Sequence, residues 1–263
     1  MIFRRVLLTG ASGRIGACLR AGLRDELDEL RLTDLREPDP PAAGHAEAFV
    51  AADLADGEAV FRAVEGVEAV LHLGAVPGEA AFGQLLGPNV IGTFNVFEAA
   101  RRAAVRRVVY ASSNHVTGFY SVDELLAGTE PPRPDGLYGA TKAFGEALAR
   151  MYSDRFGLEV ICLRIGSFDE RPSQRQELHM WLSPEDAVRL FRACLSAPDV
   201  GFLTVYGASA NSRSWWDLGE AARRLGYEPQ DDAERFAAEI EDDAPPSRYQ
   251  GDPFTAPEYG GWT

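Results

Sequence analysis

Cysteine and histidine, the usual ligands of transition-metal sites, are few and poorly spaced in this sequence of 263 residues. The three cysteines, Cys18, Cys162 and Cys194, lie far apart, each within an apolar segment. That argues for reduced, buried thiols and against a disulfide framework. The four histidines, His45, His72, His115 and His179, form no HxH or HxxxH pair, so no metal site is expected. Positive charge is also short: 26 Lys and Arg stand against 40 Asp and Glu, a formal net charge of −14. Nucleic acid and anionic membrane surfaces would be repelled and are not expected as partners. Long hydrophobic runs are missing too. The opening MIFRRVLLTG turns into a glycine loop too early to span a bilayer and carries no cleavage pattern, so a cytoplasmic chain is expected.

What is present is alternation. Short apolar runs at Phe3–Thr9, Glu29–Asp34, Glu47–Ala51, Ala69–Leu73, Arg107–Ala111 and Glu159–Ile165 read as strands covered on both faces. Helical patterns near 13–25, 57–65, 83–104 and 138–156 lie between them. The expectation is an α/β fold, a Rossmann-type doubly wound parallel sheet, in a single domain. Residues 1–165 would form the dinucleotide-binding core and 166–263 a small C-terminal substrate-binding region. In that region Ser183-Pro184-Glu185-Asp186 announces a helix, a strand is expected at Phe202–Tyr206, and helices near 214–225 and 231–241. The tail from Ala244, rich in Pro and Gly, is expected to be irregular, wrapping the core or a neighbouring subunit.

The first strand runs into Thr9-Gly10-Ala11-Ser12-Gly13-Arg14-Ile15-Gly16 and then a helix. Glycines at such a turn let the backbone approach a pyrophosphate, whose charge rests against free N–H groups at the helix N-terminus. The spacing is Gly-x-x-Gly-x-x-Gly, and its place between a strand and a helix gives it meaning. Asp34, ending the second strand, can accept hydrogen bonds from both adenosine ribose hydroxyls and would repel a 2′-phosphate, which favours NAD over NADP. Arg36 leaves the phosphate form open. Asp53 and Leu54 are placed to reach the adenine, and Leu73-Gly74-Ala75 brings bare backbone near the cofactor.

Tyr138 and Lys142 stand at i and i+4 on one helix face. A tyrosine ordinarily holds its proton to about pH 10, and a neighbouring ammonium would lower that by stabilising the phenolate. The fifth strand ends in Ser112-Ser113-Asn114-His115 and the sixth in Arg164-Ile165-Gly166-Ser167, at the sheet edge where ligands bind. Ser113 could orient a reacting oxygen toward Tyr138, and several polar groups converge on one crevice.

Together these pieces resemble the extended branch of the short-chain dehydrogenase/reductase superfamily. The resemblance to uronate dehydrogenases covers nearly the whole chain. It is carried by Ala111-Ser-Ser-Asn-His115, Arg133-Pro-Asp-Gly-Leu-Tyr-Gly139, Leu163-Arg-Ile-Gly-Ser167, Gly207-Ala-Ser-Ala-Asn211 with Trp215-Trp216, and Arg248-Tyr-Gln-Gly251. That resemblance implies oxidation of a hexuronic acid at C1 to an aldaro-lactone, with NAD as cofactor, Tyr138 as base, and Ser113 and Lys142 assisting. It adds Asn89 and Ile165 to the cofactor residues, gives Asn114, His115 and Ser167 to the sugar hydroxyls or the carboxylate, and implies a homo-oligomer. Two positions depart from the family: Pro77 stands where it has a serine, and Gln176 where an arginine binds the carboxylate. Arg175 is the nearest substitute, with Arg171 earlier. Without such a clamp a neutral aldose becomes the alternative substrate. A sugar-nucleotide epimerase or dehydratase fits less well, because the C-terminal region is small. A non-catalytic NAD sensor would not need Ser113, Tyr138 and Lys142.

Overall fold

The computed structural model describes residues 2–39, 47–241 and 247–259. His45, residues 244–246 and the last four residues of the tail lie outside the described residues.

Apolar residues on both faces of a strand require cover on both faces, and the central sheet shows it. β4 (Ala69–His72) and β5 (Arg107–Ser113) are buried at every position. They sit inside a seven-stranded, all-parallel sheet ordered β3-β2-β1-β4-β5-β6-β9. The other strands are β1 (Arg5–Thr9), β2 (Glu29–Thr33), β3 (Glu47–Phe49), β6 (Glu159–Ile165) and β9 (Phe202–Gly207). The order reverses between β1 and β4, and the crevice at that switch point is where ligands bind in such sheets. The fold is Rossmann-type.

One face of the sheet is covered by α1 (Arg14–Leu23), α6 (Pro184–Ser196) and α7 (Gly219–Leu225), whose Leu19, Leu23, Leu190, Phe191 and Leu225 meet Leu8, Leu71 and Leu163. The other face packs α2 (Gly57–Val64), α4 (Gly92–Arg102) and α5 (Leu137–Phe156) through Val60, Val96, Phe97 and Tyr152 onto Leu7, Val70 and Val108. Between β4 and α4 lie the short α3 (Phe82–Leu85) and a π-helical turn, Leu86–Ile91, where one continuous helix is expected from the sequence. Among the described residues no helix is long and apolar enough to cross a membrane.

Two expectations are revised and one element is added. The strand at Phe202–Tyr206 becomes β9 of the main sheet, pairing with β6 from Val160↔Phe202 to Ile165↔Gly207, so a boundary at residue 165 would cut through the sheet. A two-stranded sheet of β7 (Ser167–Phe168) and β8 (Trp181–Leu182) had no counterpart in the sequence reading, because two residues carry no periodicity. The helices near 214–225 and 231–241 shrink to α7 and to a 3-10 segment, Ala233–Glu239. Trp216 precedes α7, its indole stacked on Tyr206 with centroids 4.4 Å apart and its Nε1 donating to Gln250 Oε1. The described part of the tail, 247–259, is irregular and lies against the core: Ser121 bridges to Tyr249, and Gly251 N donates to Gly118 O at 2.9 Å.

Candidate active site

The carboxyl ends of β1, β2, β4, β5 and β6 open on one cavity of about 860 Å³. Every cofactor residue expected from the sequence except Asn89 lines it, and every substrate residue except Arg175.

At the β1–α1 turn the glycines are dictated by space. Gly10 has φ +68°, and a Cβ there would sit 2.8 Å from Gly74 N; a Cβ on Gly16 would sit 2.2 Å from Gly10 O. Side chains are excluded, so two backbone segments close against each other. α1 begins with Gly13 at its N-cap, which offers no capping side chain, and its first turn lines the cavity. Uncapped N–H groups at a helix start suit a phosphate. Asp34 Oδ2 accepts from Ser12 N at 3.0 Å and Oδ1 from Leu35 N at 2.7 Å, which pins the turn to the end of β2. Arg36 is not among the lining residues. β3 stops at Phe49, so Asp53 reaches the cavity from the following loop. These residues fit a dinucleotide: bare turn, uncapped helix start, and a carboxylate one strand over.

Beneath the turn, Thr9 Oγ1 accepts from Leu73 N and Gly74 N, at 3.1 and 3.0 Å, and meets His72 Nδ1 at 2.9 Å. With two donors already arriving, Thr9 gives its own proton to Nδ1. His72 therefore carries its hydrogen on Nε2, toward Thr93 Oγ1. Burial, with Lys142 nearby, lowers this histidine to about 3, so it stays neutral. Asn89 is a strut rather than a wall: its Oδ1 accepts from Val76 N, and its Nδ2 donates to Val76 O and Thr141 Oγ1. It ties the loop after β4 to α5, and burial inside the π-helical turn keeps it out of the cavity.

Where α5 meets the end of β5, the three residues expected to be catalytic, Tyr138, Ser113 and Lys142, converge on the cavity, all buried. Lys142 is the only lysine in the sequence. Its Nζ donates to Ala111 O at 2.8 Å and lies 5.6 Å from the Tyr138 ring centroid; burial lowers it to about 8. The expected depression of Tyr138 is reversed. Burial pushes its hydroxyl up to about 12, a hydrogen bond from Ser113 opposes this, and Asp135 adds to the rise. Lys142 has turned its ammonium to the β5 carbonyl instead.

The start of α5 is capped from outside. Glu79 Oε1 accepts from Leu137 N at 3.0 Å and Oε2 from Tyr138 N at 2.9 Å, while Gly136 at the N-cap has no side chain to offer. Arg164 does not join the crevice as expected. It turns to the back of the site and pairs in bidentate fashion with Glu146 of α5, at 3.0 and 2.9 Å; Ser112 Oγ donates to the same carboxylate at 2.6 Å.

Around the residues expected to meet the substrate, Ser167 Oγ donates to Glu177 Oε1 at 2.7 Å, and His115 Nδ1 meets Asp135 Oδ2 at 2.7 Å. Asn114 Nδ2 reaches Met180 Sδ at 3.8 Å. Arg175 opens the 3-10 turn Arg175–His179 and is exposed, which accounts for its absence from the wall. Gln176 Nε2 donates to Gln250 O in the tail. Arg14 spans the mouth, its Nη2 at 2.6 Å from Phe168 O and 2.6 Å from Asp169 Oδ2. Sequence reasoning missed Glu79, Asp135, Glu146 and Glu177, all carboxylates acting through a neighbour. Glu146 alone had a signal, one more helical turn beyond Tyr138 and Lys142.

Comparison with known proteins agrees with this geometry. The sequence model of the NAD dependent epimerase/dehydratase family matches residues 6–168. The uronate dehydrogenase of Pseudomonas syringae pv. tomato is 46% identical over 260 residues, 97% of this chain and 94% of its own. An NAD-dependent glucose-6-phosphate dehydrogenase of Haloferax volcanii is 39% identical, over 90% of this chain and 97% of its own. A crystal structure of a uronate dehydrogenase mutant from Agrobacterium tumefaciens, complexed with NAD, superposes with a TM-score of 0.90 at 44% identity, covering 96% of this chain and 97% of that one. The chain belongs to the NAD-dependent epimerase/dehydratase family and, within it, to the uronate dehydrogenases.

Proposed function

We propose that this protein oxidises a hexuronic acid, glucuronate or galacturonate, at C1 to the aldaro-lactone with NAD as hydride acceptor. The observation that carries the reading is the meeting of Tyr138, Ser113 and Lys142 at the strand ends, in one cavity with the glycine turn and the uncapped start of α1. The turn and the α1 N–H groups would hold the pyrophosphate, and Asp34 the adenosine ribose; its charge opposes a 2′-phosphate. NAD, when bound, supplies the acceptor for the hydride leaving C1.

The chain's own residues do the rest. Ser113 orients the anomeric hydroxyl, and Tyr138 takes its proton. Tyrosine is protonated at neutral pH and burial pushes this one further up, to about 12, so the phenolate has to be stabilised for the step to proceed. The groups at hand are the Ser113 hydroxyl and the Lys142 ammonium. Burial lowers Lys142 to about 8, so its support is greatest well below that pH and is lost as pH rises through it. A neutral aldose is the second reading, favoured by Glu177 behind Ser167 and by the exposed position of Arg175.

Absorbance of NADH with NAD and a panel of glucuronate, galacturonate, glucose, galactose and arabinose tests both. The account expects turnover on the uronates. Turnover on neutral sugars alone would replace the first reading by the second.

A further inference from the structure

Two side chains close on the backbone of a single residue, the tyrosine at the start of α5. Glu79, in the loop after β4, accepts from Tyr138 N through Oε2 at 2.9 Å and from Leu137 N through Oε1 at 3.0 Å. At the other end of the same residue, Thr141 Oγ1 donates to Tyr138 O at 2.8 Å and accepts from Asn89 Nδ2 at 3.2 Å. Asn89 Oδ1 in turn accepts from Val76 N at 2.8 Å. Both arms lead to residues 76–79. The N–H and the C=O of Tyr138 are therefore tied to one loop.

That loop is a wall of the cavity, which residues 73–77 line without a gap. Its beginning is fastened to β1, where Thr9 Oγ1 accepts from Leu73 N and Gly74 N beside the glycine turn. A hydrogen-bonded path thus runs from the end of β1, along the loop, to Tyr138. The opposite side of α5 is closed as well, since a Cβ on Gly139 would fall 2.3 Å from His115 O.

A helix start needs acceptors for its free N–H groups, but it does not need remote ones. In this protein α2 and α6 are capped by their own N-cap side chains, Asp56 and Ser183. At α5 the N-cap is Gly136, whose extended backbone would suit any residue; yet a Cβ there would fall 2.4 Å from Glu79 Oε2. The remote cap excludes a local one. Holding a loop in place costs conformational entropy, so a distant cap is a poor choice for helix stability alone. What it adds is position.

We propose that Glu79 is the positioning residue of Tyr138, fixing the phenol relative to the backbone of residues 73–77. It acts through the Tyr138 amide and does not itself line the cavity. Proton and hydride transfer need reacting atoms about 3–3.5 Å apart, and a misplacement of about 1 Å can cost about 10²-fold in rate.

The test compares Glu79→Ala with the double variant Glu79→Ala/Gly136→Ser, in which a local cap occupies the space that Glu79 leaves. Steady-state kinetics with glucuronate and NAD is read beside NADH affinity by fluorescence titration and beside Tm. Glu79→Ala should lower kcat by about 10- to 100-fold, with KM and NADH affinity changed by less than about threefold. Its Tm should fall by about 2–4 °C, the loss of one cap. Adding Gly136→Ser should return the Tm and leave kcat low. Recovery of kcat together with Tm would reduce Glu79 to a helix cap and overturn the proposal, as would an unchanged kcat in Glu79→Ala. If that variant does not fold, Glu79→Gln, which keeps one acceptor oxygen, should lower kcat by about threefold or more at unchanged KM; an unchanged kcat would again overturn it. The proposal rests on the uronate reading only for its substrate. Absence of glucuronate turnover in the unsubstituted protein would be the failure of that reading, and the same comparison is then read with the sugar of the panel that is turned over.

Discussion

Replacing Tyr138 by phenylalanine should lower turnover by about 10²- to 10⁴-fold, the usual contribution of one positioned acid–base group, while NAD binding survives. The change removes one oxygen. The ring remains wedged between Lys142 and His115, and Ser113, Glu79 and the glycine turn keep their own contacts. No neighbour is well placed to substitute. Lys142 donates to Ala111 O, and Ser113 Oγ accepts from His115 N at 3.2 Å. His115 is committed to Asp135 through Nδ1. Initial rates of NADH formation, beside a fluorescence titration with NADH, separate chemistry from binding. Undiminished turnover with intact binding would assign the proton transfer to another group.

The second large effect is on stability. Arg164→Met should cost about 3–5 kcal/mol, because it strands the Glu146 carboxylate in the interior. Arg164 and Glu146 side chains are only 3% and 8% exposed, and Ser112 would be the remaining side-chain donor to Glu146. Burial opposes the guanidinium charge, yet the bond to Glu146 holds it firmly ionised. For a chain of this size the loss corresponds to a fall in Tm on the order of 10 °C. The double variant Arg164→Met/Glu146→Leu should recover much of it, since replacing both charges by packed apolar side chains removes the desolvation cost. A single variant as stable as the parent would mean that the pair contributes nothing. The effect would also reach the site, because Ser112 precedes Ser113 on β5.

The parts of this protein that could be read from its sequence are those built from local pattern. Continuous apolar runs such as Ala69–His72 announce strands buried on both faces. The Gly10–Gly16 turn and the Tyr138/Lys142 spacing belong to single elements. What escaped depends on residues far apart in sequence. Glu79 caps α5 from 58 positions upstream of Leu137, and Asp135 holds His115 across 20 positions. No periodicity encodes such contacts. Arg164 was misplaced for a different reason: in a strand, neighbouring side chains point to opposite faces, so Ile165 lines the cavity and Arg164 points away. Asn89 and Arg175 show the limit of matching positions without geometry, one buried as a strut and the other exposed on a short 3-10 turn. One simple signal went unused. A chain that places arginine at every other basic position keeps its single lysine at 142, where a compact ammonium that changes its pKa readily on burial is wanted.

The central claim is that hydride leaves C1 of a hexuronic acid, and an isotope at that carbon tests it most directly. Glucuronate carrying deuterium at C1 would be incubated with the protein and NAD, and the cofactor and sugar products analysed by mass spectrometry. The account predicts deuterium in the reduced cofactor, none in the sugar product, and a lactone as the first product. Deuterium retained on the sugar while NADH accumulates would place the oxidation at another carbon and contradict the account.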